Sequence, residues 1–277
     1  MYLVTGATGN VGREVVRALL DRGAPVRALT RTGDAAGLPK GAEAVAGDLN
    51  DPASLAPALA GVRGVFFLPG YADMPGLLAA AKGAGVERVV QLSGRSAATG
   101  DMTNAVTAYM VRTEEAVRAA GLPWTIIRPS AFDANALRWL PQLRAGDVLR
   151  LPFAGVPIAS IDPYDIGEVA AVALLADGHD GRVYDLSGPE PLLPADQVRI
   201  LGETLGCELR FEAQPDAEAR AEMEAAMPKE YVDAFFRFYV DGDLDESPVL
   251  PTVREVTGRD PRTFAQWARA HAGDFAS

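Results

Sequence analysis

The sequence predicts an α/β protein built on a doubly wound parallel sheet, with a smaller, mostly helical C-terminal lobe. In the first half, short apolar runs alternate with segments of helical periodicity, which is the pattern of parallel strands with helices on both faces of the sheet. Several runs are almost continuously apolar, as expected for strands that are buried on both sides. Ligands of such sheets bind at the carboxyl ends of the strands, where functional residues are therefore expected.

The first half contains six predicted strands and four predicted helices. The strands are Tyr2–Thr5, Val26–Thr30, Glu43–Ala46, Val65–Leu68, Arg88–Leu92 and Trp124–Arg128. The helices are Arg13–Asp21, Pro52–Ala60, Met74–Lys82 and Thr107–Ala120. Glycine and proline interrupt the segment Arg31–Gly41, which predicts a loop with at most one helical turn.

The second half is predominantly helical. Asp165 is a plausible N-cap for a helix over Ile166–Leu175, since a side-chain oxygen there can accept from free backbone N–H groups. The further predicted elements are a strand at Arg182–Leu186, a helix from Pro194 to Leu205, a strand at Glu208–Ala213 and helices at Ala217–Met227, Tyr231–Tyr239 and Pro261–Ala272. We expect a sheet domain over residues 1–150 and a C-terminal substrate lobe over 151–277, partly interleaved with the sheet.

The most informative motif follows the first strand, where three glycines are spaced three residues apart and a helical pattern comes next. Glycine permits a sharp bend and a close approach by a phosphate, and the following helix directs its free N–H groups at that phosphate. This strand–turn–helix context predicts a Rossmann-type dinucleotide site. Its predicted pyrophosphate contacts are Gly6, Thr8, Gly9, Asn10, Val11 and Gly12.

Composition excludes several other classes of protein. The 277 residues carry a formal net charge of −11, which disfavours a nucleic-acid partner. No apolar run approaches the ~20 residues that span a membrane, and no secretory signal is recognisable, so a cytoplasmic location is expected. The single cysteine, Cys207, is expected to be a small buried residue. No His/Cys cluster has the spacing of metal ligands, and no metal site is predicted.

Two strand ends suggest how the adenosine half of the dinucleotide is recognised. The second strand ends in Thr30-Arg31-Thr32, where an NAD site usually has an acidic residue, so Arg31, assisted by Arg13, favours NADP(H) while NAD(H) stays possible. Arg31 as a solvated loop residue is the alternative. Asp48 and Leu49 close the third strand and could contact adenine. Asp48 could equally cap the following turn.

Four segments together resemble the atypical short-chain dehydrogenase/reductase superfamily. They are the glycine motif Thr5–Gly12, Gly47-Asp48-Leu49, Gly121–Pro129 and Asp165-Ile166. The chain is most similar to NmrA-like proteins and type-two NAD(P)H:quinone oxidoreductases. The resemblance implies nicotinamide contacts at later strand ends, and the matching positions are Phe67, Leu68, Pro69, Ser93, Gly94, Pro129, Ser130, Ala131 and Phe132. Phe132 and Asn135 match an aromatic-x-x-Asn segment, although Phe132 could instead be a buried aromatic.

The chain departs from the superfamily at the catalytic helix. Most active members carry Tyr and Lys four residues apart there, and these positions fall on Val106 and Met110. Neither side chain can donate a proton. Tyr109 and Ser93 are the remaining candidate catalytic residues, with a packed helix tyrosine and a serine bonded to the backbone as the alternatives.

These observations predict an NADP(H)-dependent oxidoreductase that transfers hydride to an activated small-molecule acceptor, such as a quinone or a conjugated carbonyl, as a monomer or homodimer. The reduction of such acceptors depends least on a positioned acid, because water can protonate them after the hydride arrives. A non-catalytic redox sensor and an isomerase or epimerase that retains its cofactor are alternatives. Seven aromatic residues either line a flat acceptor pocket or pack the lobe onto the sheet: Trp139, Phe153, Tyr231, Phe235, Phe236, Phe238 and Tyr239.

Overall fold

The fold is a seven-stranded, all-parallel sheet with strand order β3-β2-β1-β4-β5-β6-β8, as seen in a computed structural model that describes residues 1–275. The sheet strands are β1 Tyr2–Val4, β2 Val26–Thr30, β3 Glu43–Ala46, β4 Gly64–Phe67, β5 Arg88–Leu92, β6 Trp124–Pro129 and β8 Arg182–Leu186. Two further strands, β7 Val148–Leu151 and β9 Arg210–Ala213, pair in parallel in a separate small sheet. The strand order reverses between β1 and β4, and this switch point is where dinucleotides bind in such folds.

Helices cover both faces of the main sheet. The α-helices are α1 Asn10–Asp21, α2 Ala56–Leu59, α3 Met74–Gly83, α4 Ala105–Ala119, α5 Leu140–Ala145, α6 Pro163–Leu175, α7 Pro194–Leu205, α8 Asp216–Ala226, α9 Lys229–Tyr239, α10 Thr252–Thr257, α11 Phe264–Ala270 and α12 Ala272–Phe275. One core joins α1, α6 and α10 to the sheet, and a second joins α2, α3 and α4 to the opposite face. The predicted doubly wound α/β fold is confirmed.

The predicted elements agree closely with the observed ones. The bounds of β2, β3, β5, β8 and α7 are those predicted, residue for residue. The predicted helix over 52–60 is split into a 3₁₀ helix at Pro52–Leu55 and the short α2. β7, α5 and α10 were not predicted, because each is only four to six residues long and shows little periodicity.

Two local predictions were wrong. The N-cap of α6 is Asp162, whose carboxylate accepts from the Tyr164 N–H, whereas Asp165 lies in the first turn and is fully buried. Cys207 is exposed, because α7 ends at Gly206 in the left-handed conformation and turns the chain outward. The predicted loop over 31–41 is confirmed, and it contains turns but no helix.

The second half of the chain contributes to both parts of the structure. β8 completes the edge of the main sheet beside β6, and α6 packs along α1. The small β7–β9 sheet packs with α7, and α8 and α9 pack on one another. The division at residue 150 stays a prediction. Within the described residues, no helix is long and apolar enough to cross a membrane.

Candidate cofactor and acceptor site

The glycine turn leaves space for a ligand only because its glycines have no side chain. Gly6 adopts φ +61°, and a Cβ there would overlap the side chain of Leu68. A Cβ at Gly12 would overlap the carbonyl oxygen of Gly6. The Gly9 N–H donates to that same oxygen over 2.9 Å, which closes the turn.

α1 begins at Asn10 directly after this turn, and no side chain caps it. The N–H groups of its first turn and the positive end of the helix dipole therefore form an anion site. The side chains of Thr8 and Asn10 are exposed beside it, and a cavity of about 380 Å³ opens at this point. A dinucleotide pyrophosphate fits a turn of this shape.

Two predicted adenosine contacts lie at the ends of β2 and β3. Arg31 is exposed and has no ion-pair or hydrogen-bond partner within residues 1–275. Arg13 donates to the Gly37 carbonyl over 3.0 Å and so holds the loop over 31–41 against the start of α1. Asp48 accepts from the backbone N–H of Asn50 over 2.8 Å, which is the turn-capping role. The Leu49 side chain is buried in the core.

The end of β4 is fastened to β1 through Thr5. The Thr5 hydroxyl donates to the Phe66 carbonyl and accepts from the Leu68 N–H, each over 3.0 Å. Strand alternation directs Phe67 away from α1 and into the opposite core, where it is fully buried. The Phe67 ring is therefore not available to a cofactor. Leu68 and Pro69 are half-buried at the strand end, and Leu68 lies over Gly6.

The ends of β5 and β6 open into a cavity of about 440 Å³. Its walls combine strand-end residues with one face of α4 and one face of α9. The sequence-predicted residues that line it are Ser93, Gly94, Val106, Tyr109, Met110, Pro129, Ser130, Ala131, Phe132, Asn135, Tyr231, Phe235, Phe238 and Tyr239. The structure thus brings together the predicted nicotinamide contacts of β5 and β6 and both candidate catalytic residues.

The Ser93 hydroxyl is engaged in a buried network. It donates to Glu114 over 2.6 Å, and Glu114 also accepts from both Arg128 and Arg118. The backbone of Ser93 remains at the cavity wall, but its hydroxyl proton is directed at Glu114 and away from the cavity. Ser130 is similarly engaged, since its hydroxyl donates to the Ala159 carbonyl over 2.6 Å.

Tyr109 is half-buried at the cavity wall, and its hydroxyl has no hydrogen-bond partner within residues 1–275. Burial, with a smaller contribution from Tyr231, raises the pKa of Tyr109 to about 12. Its ring packs against Gly70. A phenol in this setting stays protonated and is a weak acid.

The predicted aromatic residues divide between two roles. A second cavity of about 440 Å³ adjoins the first and is lined by Trp139, Phe153, Phe235 and Tyr239. Phe236 is instead buried and packs against the ring of Phe153, with centroids 5.3 Å apart. The guanidinium of Arg220 lies over its ring, 4.1 Å from the centroid, in a cation–π contact. Both alternatives, pocket lining and lobe packing, therefore apply to the same helix.

The polar residues at these cavities that were not predicted from the sequence include Asp133, Arg138 and Glu246. Asp133 and Arg138 belong to a 3₁₀ helix at Asp133–Trp139, and Glu246 lies in an irregular segment after α9. None belongs to a periodic pattern or a motif that marks a ligand contact. Asp133 is 1% exposed and accepts from Ser160 over 2.6 Å, while its other oxygen has no partner.

Asp133→Asn is expected to stabilise the protein at alkaline pH. Burial raises the pKa of Asp133 to about 8, helped by Asp162, Asp165 and Glu190. Because the folded-state pKa lies above the unfolded one, stability is complete below the ordinary aspartate range and is lost as pH rises through about 8. Thermal unfolding across pH should show the variant about 1–3 kcal/mol more stable at pH near 9 and not at pH near 5. An equal difference at both pH values would contradict this.

Comparison with known proteins agrees with the geometry of the turn. A model of an NAD(P)H-binding family matches residues 6–150, which include the glycine turn and the strand ends β1 to β6. The chain belongs to this NAD(P)H-binding family. The predictions of cofactor class and of an atypical short-chain dehydrogenase/reductase are confirmed.

Two relatives match the NAD(P)H-binding chain over its whole length. The (4-alkanoyl-5-oxo-2,5-dihydrofuran-3-yl)methyl phosphate reductase of Streptomyces griseus is 40% identical, over 100% of this chain and 99% of the relative. The NAD(P)H azoreductase of Xenophilus azovorans is 35% identical over 100% of both. A solved structure of Citrobacter sp. triphenylmethane reductase with NADP(H) has the same fold, with TM-score 0.79, 21% identity and coverage of 98% and 99%.

Proposed function

We propose that this protein is an NADPH-preferring reductase that passes hydride to a conjugated small-molecule acceptor held between the strand ends and α9. It is an NAD(P)H-dependent reductase in class, as predicted. The observation that carries the proposal is the cavity of about 440 Å³ at the carboxyl ends of β5 and β6, which is walled by aromatic rings. A flat, conjugated molecule matches such walls.

The chain's own residues would bind and orient the two reactants. The turn at Gly6, Gly9 and Gly12 would hold the pyrophosphate, and Arg31 would pair with the 2′-phosphate. The backbone at Ser93 and the ring of Phe132 would place the nicotinamide beneath α9. Bound NADPH supplies the hydride. Apolar Val106 and Met110 line the cavity wall at the positions where most members of the superfamily carry Tyr and Lys. The protein would therefore transfer hydride without that Tyr/Lys pair.

The two full-length relatives support a conjugated acceptor. The compound named for the Streptomyces griseus reductase has a ring double bond that is conjugated with two carbonyl groups, both attached to one of its carbons. An azo group is likewise an electron-poor double bond. Both the conjugated ring double bond and the azo group accept hydride more readily than a saturated ketone does. Arg138 is exposed, lines both cavities and has no ion-pair partner within residues 1–275. We propose that it contacts an anionic group on the acceptor.

Arg31→Asp is expected to reduce the ratio of NADPH to NADH affinity by about 10- to 100-fold, because a charge-assisted pair with the 2′-phosphate is replaced by repulsion. Fluorescence titration of both cofactors measures the ratio. Arg182→Asp is the matched control, since Arg182 is exposed at the opposite end of a sheet strand. An unchanged ratio in Arg31→Asp would show that Arg31 does not select the cofactor.

The function itself is tested by the loss of NADPH absorbance with a panel of acceptors. The panel contains a quinone, an acylated dihydrofuranone, an azo compound and a saturated ketone. We expect turnover well above the free-cofactor background with conjugated members and little with the saturated ketone. Equal reduction of the saturated ketone would contradict the proposed acceptor class, and no turnover on any member would contradict a reductase.

A further inference from the structure

One carboxyl group faces the acceptor cavity. Glu246 is the only acidic residue among the described residues that line it, and its side chain is 5% exposed. Although Glu246 lies between α9 and α10 without regular structure, its carbonyl accepts from the Ala159 N–H over 2.8 Å. The backbone of Glu246 is therefore held at the cavity wall.

Polar neighbours surround this carboxyl group. The Tyr239 hydroxyl donates to it over 3.0 Å, and the Ala131 N–H donates to it from the cavity wall. Arg95 lines the same cavity, and Asp245 lies beyond it. Burial raises the pKa of Glu246, against the opposing effects of Tyr239, Arg95 and Ala131. Burial also raises the pKa of Tyr239, so that phenol stays protonated.

The two groups that would otherwise donate a proton are poorly suited to do so. The Ser93 proton is directed at Glu114, away from the cavity. Burial raises the pKa of Tyr109 to about 12, which makes its hydroxyl a weak acid. A carboxyl group is a far stronger acid than either hydroxyl even when burial raises its pKa, and Glu246 lines the cavity that would hold the acceptor.

We propose that Glu246 is the proton donor to the reduced acceptor and that Tyr239 tunes its acidity. The inference rests on the proposed function. When NADPH is bound, its hydride would form a new bond to one atom of the acceptor's double bond, and the π electron pair of that double bond would shift onto the conjugated oxygen or nitrogen. That atom then takes the carboxyl proton of Glu246. Solvent returns a proton to the carboxylate after the oxidised cofactor and product leave.

The first test compares Glu246→Gln with wild type. Glutamine keeps the size and a hydrogen-bond donor but cannot release a proton, so kcat should fall about 10²-fold while NADPH affinity and the thermal midpoint stay close to wild type. Glu230→Gln on α9, at an exposed position, is the control and should keep wild-type kcat. Turnover of Glu246→Gln within about twofold of wild type would overturn the proposal.

Tyr239→Phe gives a second readout that a purely structural role would not move. Loss of its hydrogen bond raises the pKa of Glu246, so the fall of kcat/KM with rising pH should move to higher pH. A profile that falls at the same pH in this variant as in wild type would contradict the tuning role of Tyr239.

A binding measurement without cofactor separates this inference from the proposed function. Xanthone, a planar aromatic ketone, accepts a hydrogen bond from protonated Glu246, so its affinity should fall about fivefold as pH rises through the carboxyl pKa. In Glu246→Gln the affinity should not depend on pH. If the wild-type protein reduces an acceptor but its xanthone binding does not depend on pH, only the proton-donor role of Glu246 is overturned. If no acceptor is reduced but xanthone binding depends on pH, the proposed function is overturned. The carboxyl group of Glu246 is then still the group that donates a hydrogen bond in the cavity and titrates there.

Discussion

Gly12→Ala should raise the Kd for NADPH about a hundredfold. The added Cβ would overlap the Gly6 carbonyl, a backbone atom that cannot rotate away, so the turn must open. Overpacking of this kind costs about 1–3 kcal/mol, and about 3 kcal/mol corresponds to a hundredfold change in affinity. Fluorescence titration with NADPH measures the change.

Gly83→Ala is the matched control for this substitution. Gly83 is the last residue of α3, and a Cβ there would have no atom within 4 Å. The control should keep wild-type NADPH affinity and gain slightly in stability, since alanine favours helix. Wild-type affinity in Gly12→Ala would show that the pyrophosphate does not lie on this turn.

Glu114→Gln should lower the free energy of unfolding by about 3–5 kcal/mol, because it leaves the guanidinium of Arg128, whose side chain is only 15% exposed, without its counter-charge. Glu114 is 1% exposed and accepts two hydrogen bonds from Arg128, over 2.7 and 2.6 Å. Denaturant unfolding measures the loss. Glu115→Gln is the control, since Glu115 is the exposed neighbour and should change stability little.

The Glu114 effect should depend on pH. Burial alone would raise the pKa of Glu114, but hydrogen bonds from Arg128 and Ser93 lower it overall. Because the folded-state pKa lies below the unfolded one, the stabilisation is present above the ordinary glutamate range and is lost as pH falls through the folded-state pKa. The difference between wild type and Glu114→Gln should therefore shrink in acid. A difference independent of pH would contradict the charge-based account.

The sequence predicted the sheet and the cofactor turn well because both are local. Gly6, Gly9 and Gly12 lie within one short segment, and each strand of the main sheet carries its own apolar pattern. β7 was missed, since it has only four residues and finds its partner, β9, some sixty residues away in the chain. Contact across such a distance leaves no periodic signal.

The acceptor cavity was predicted only in part. Phe132 and Ser93 were placed correctly at strand ends, but no pattern shows that the Ser93 proton points to Glu114, or that the Phe67 ring faces the opposite core. Glu246 comes to the cavity through a backbone contact with Ala159, far away in the chain. Directions of side chains and partners of irregular segments are set by tertiary packing, which sequence spacing does not encode.

The most direct test of the account follows the hydride itself. The protein is mixed with an acylated dihydrofuranone and with NADPH that carries deuterium on one face of nicotinamide C4. The mass of the product is then measured by mass spectrometry. Two such isomers exist, with deuterium on one or the other face of C4. We predict that only one of them transfers its deuterium to the acceptor, which yields product one mass unit heavier. Tight NADPH binding with unlabelled or unchanged acceptor from both isomers would contradict a reductase and favour a protein that only senses its cofactor.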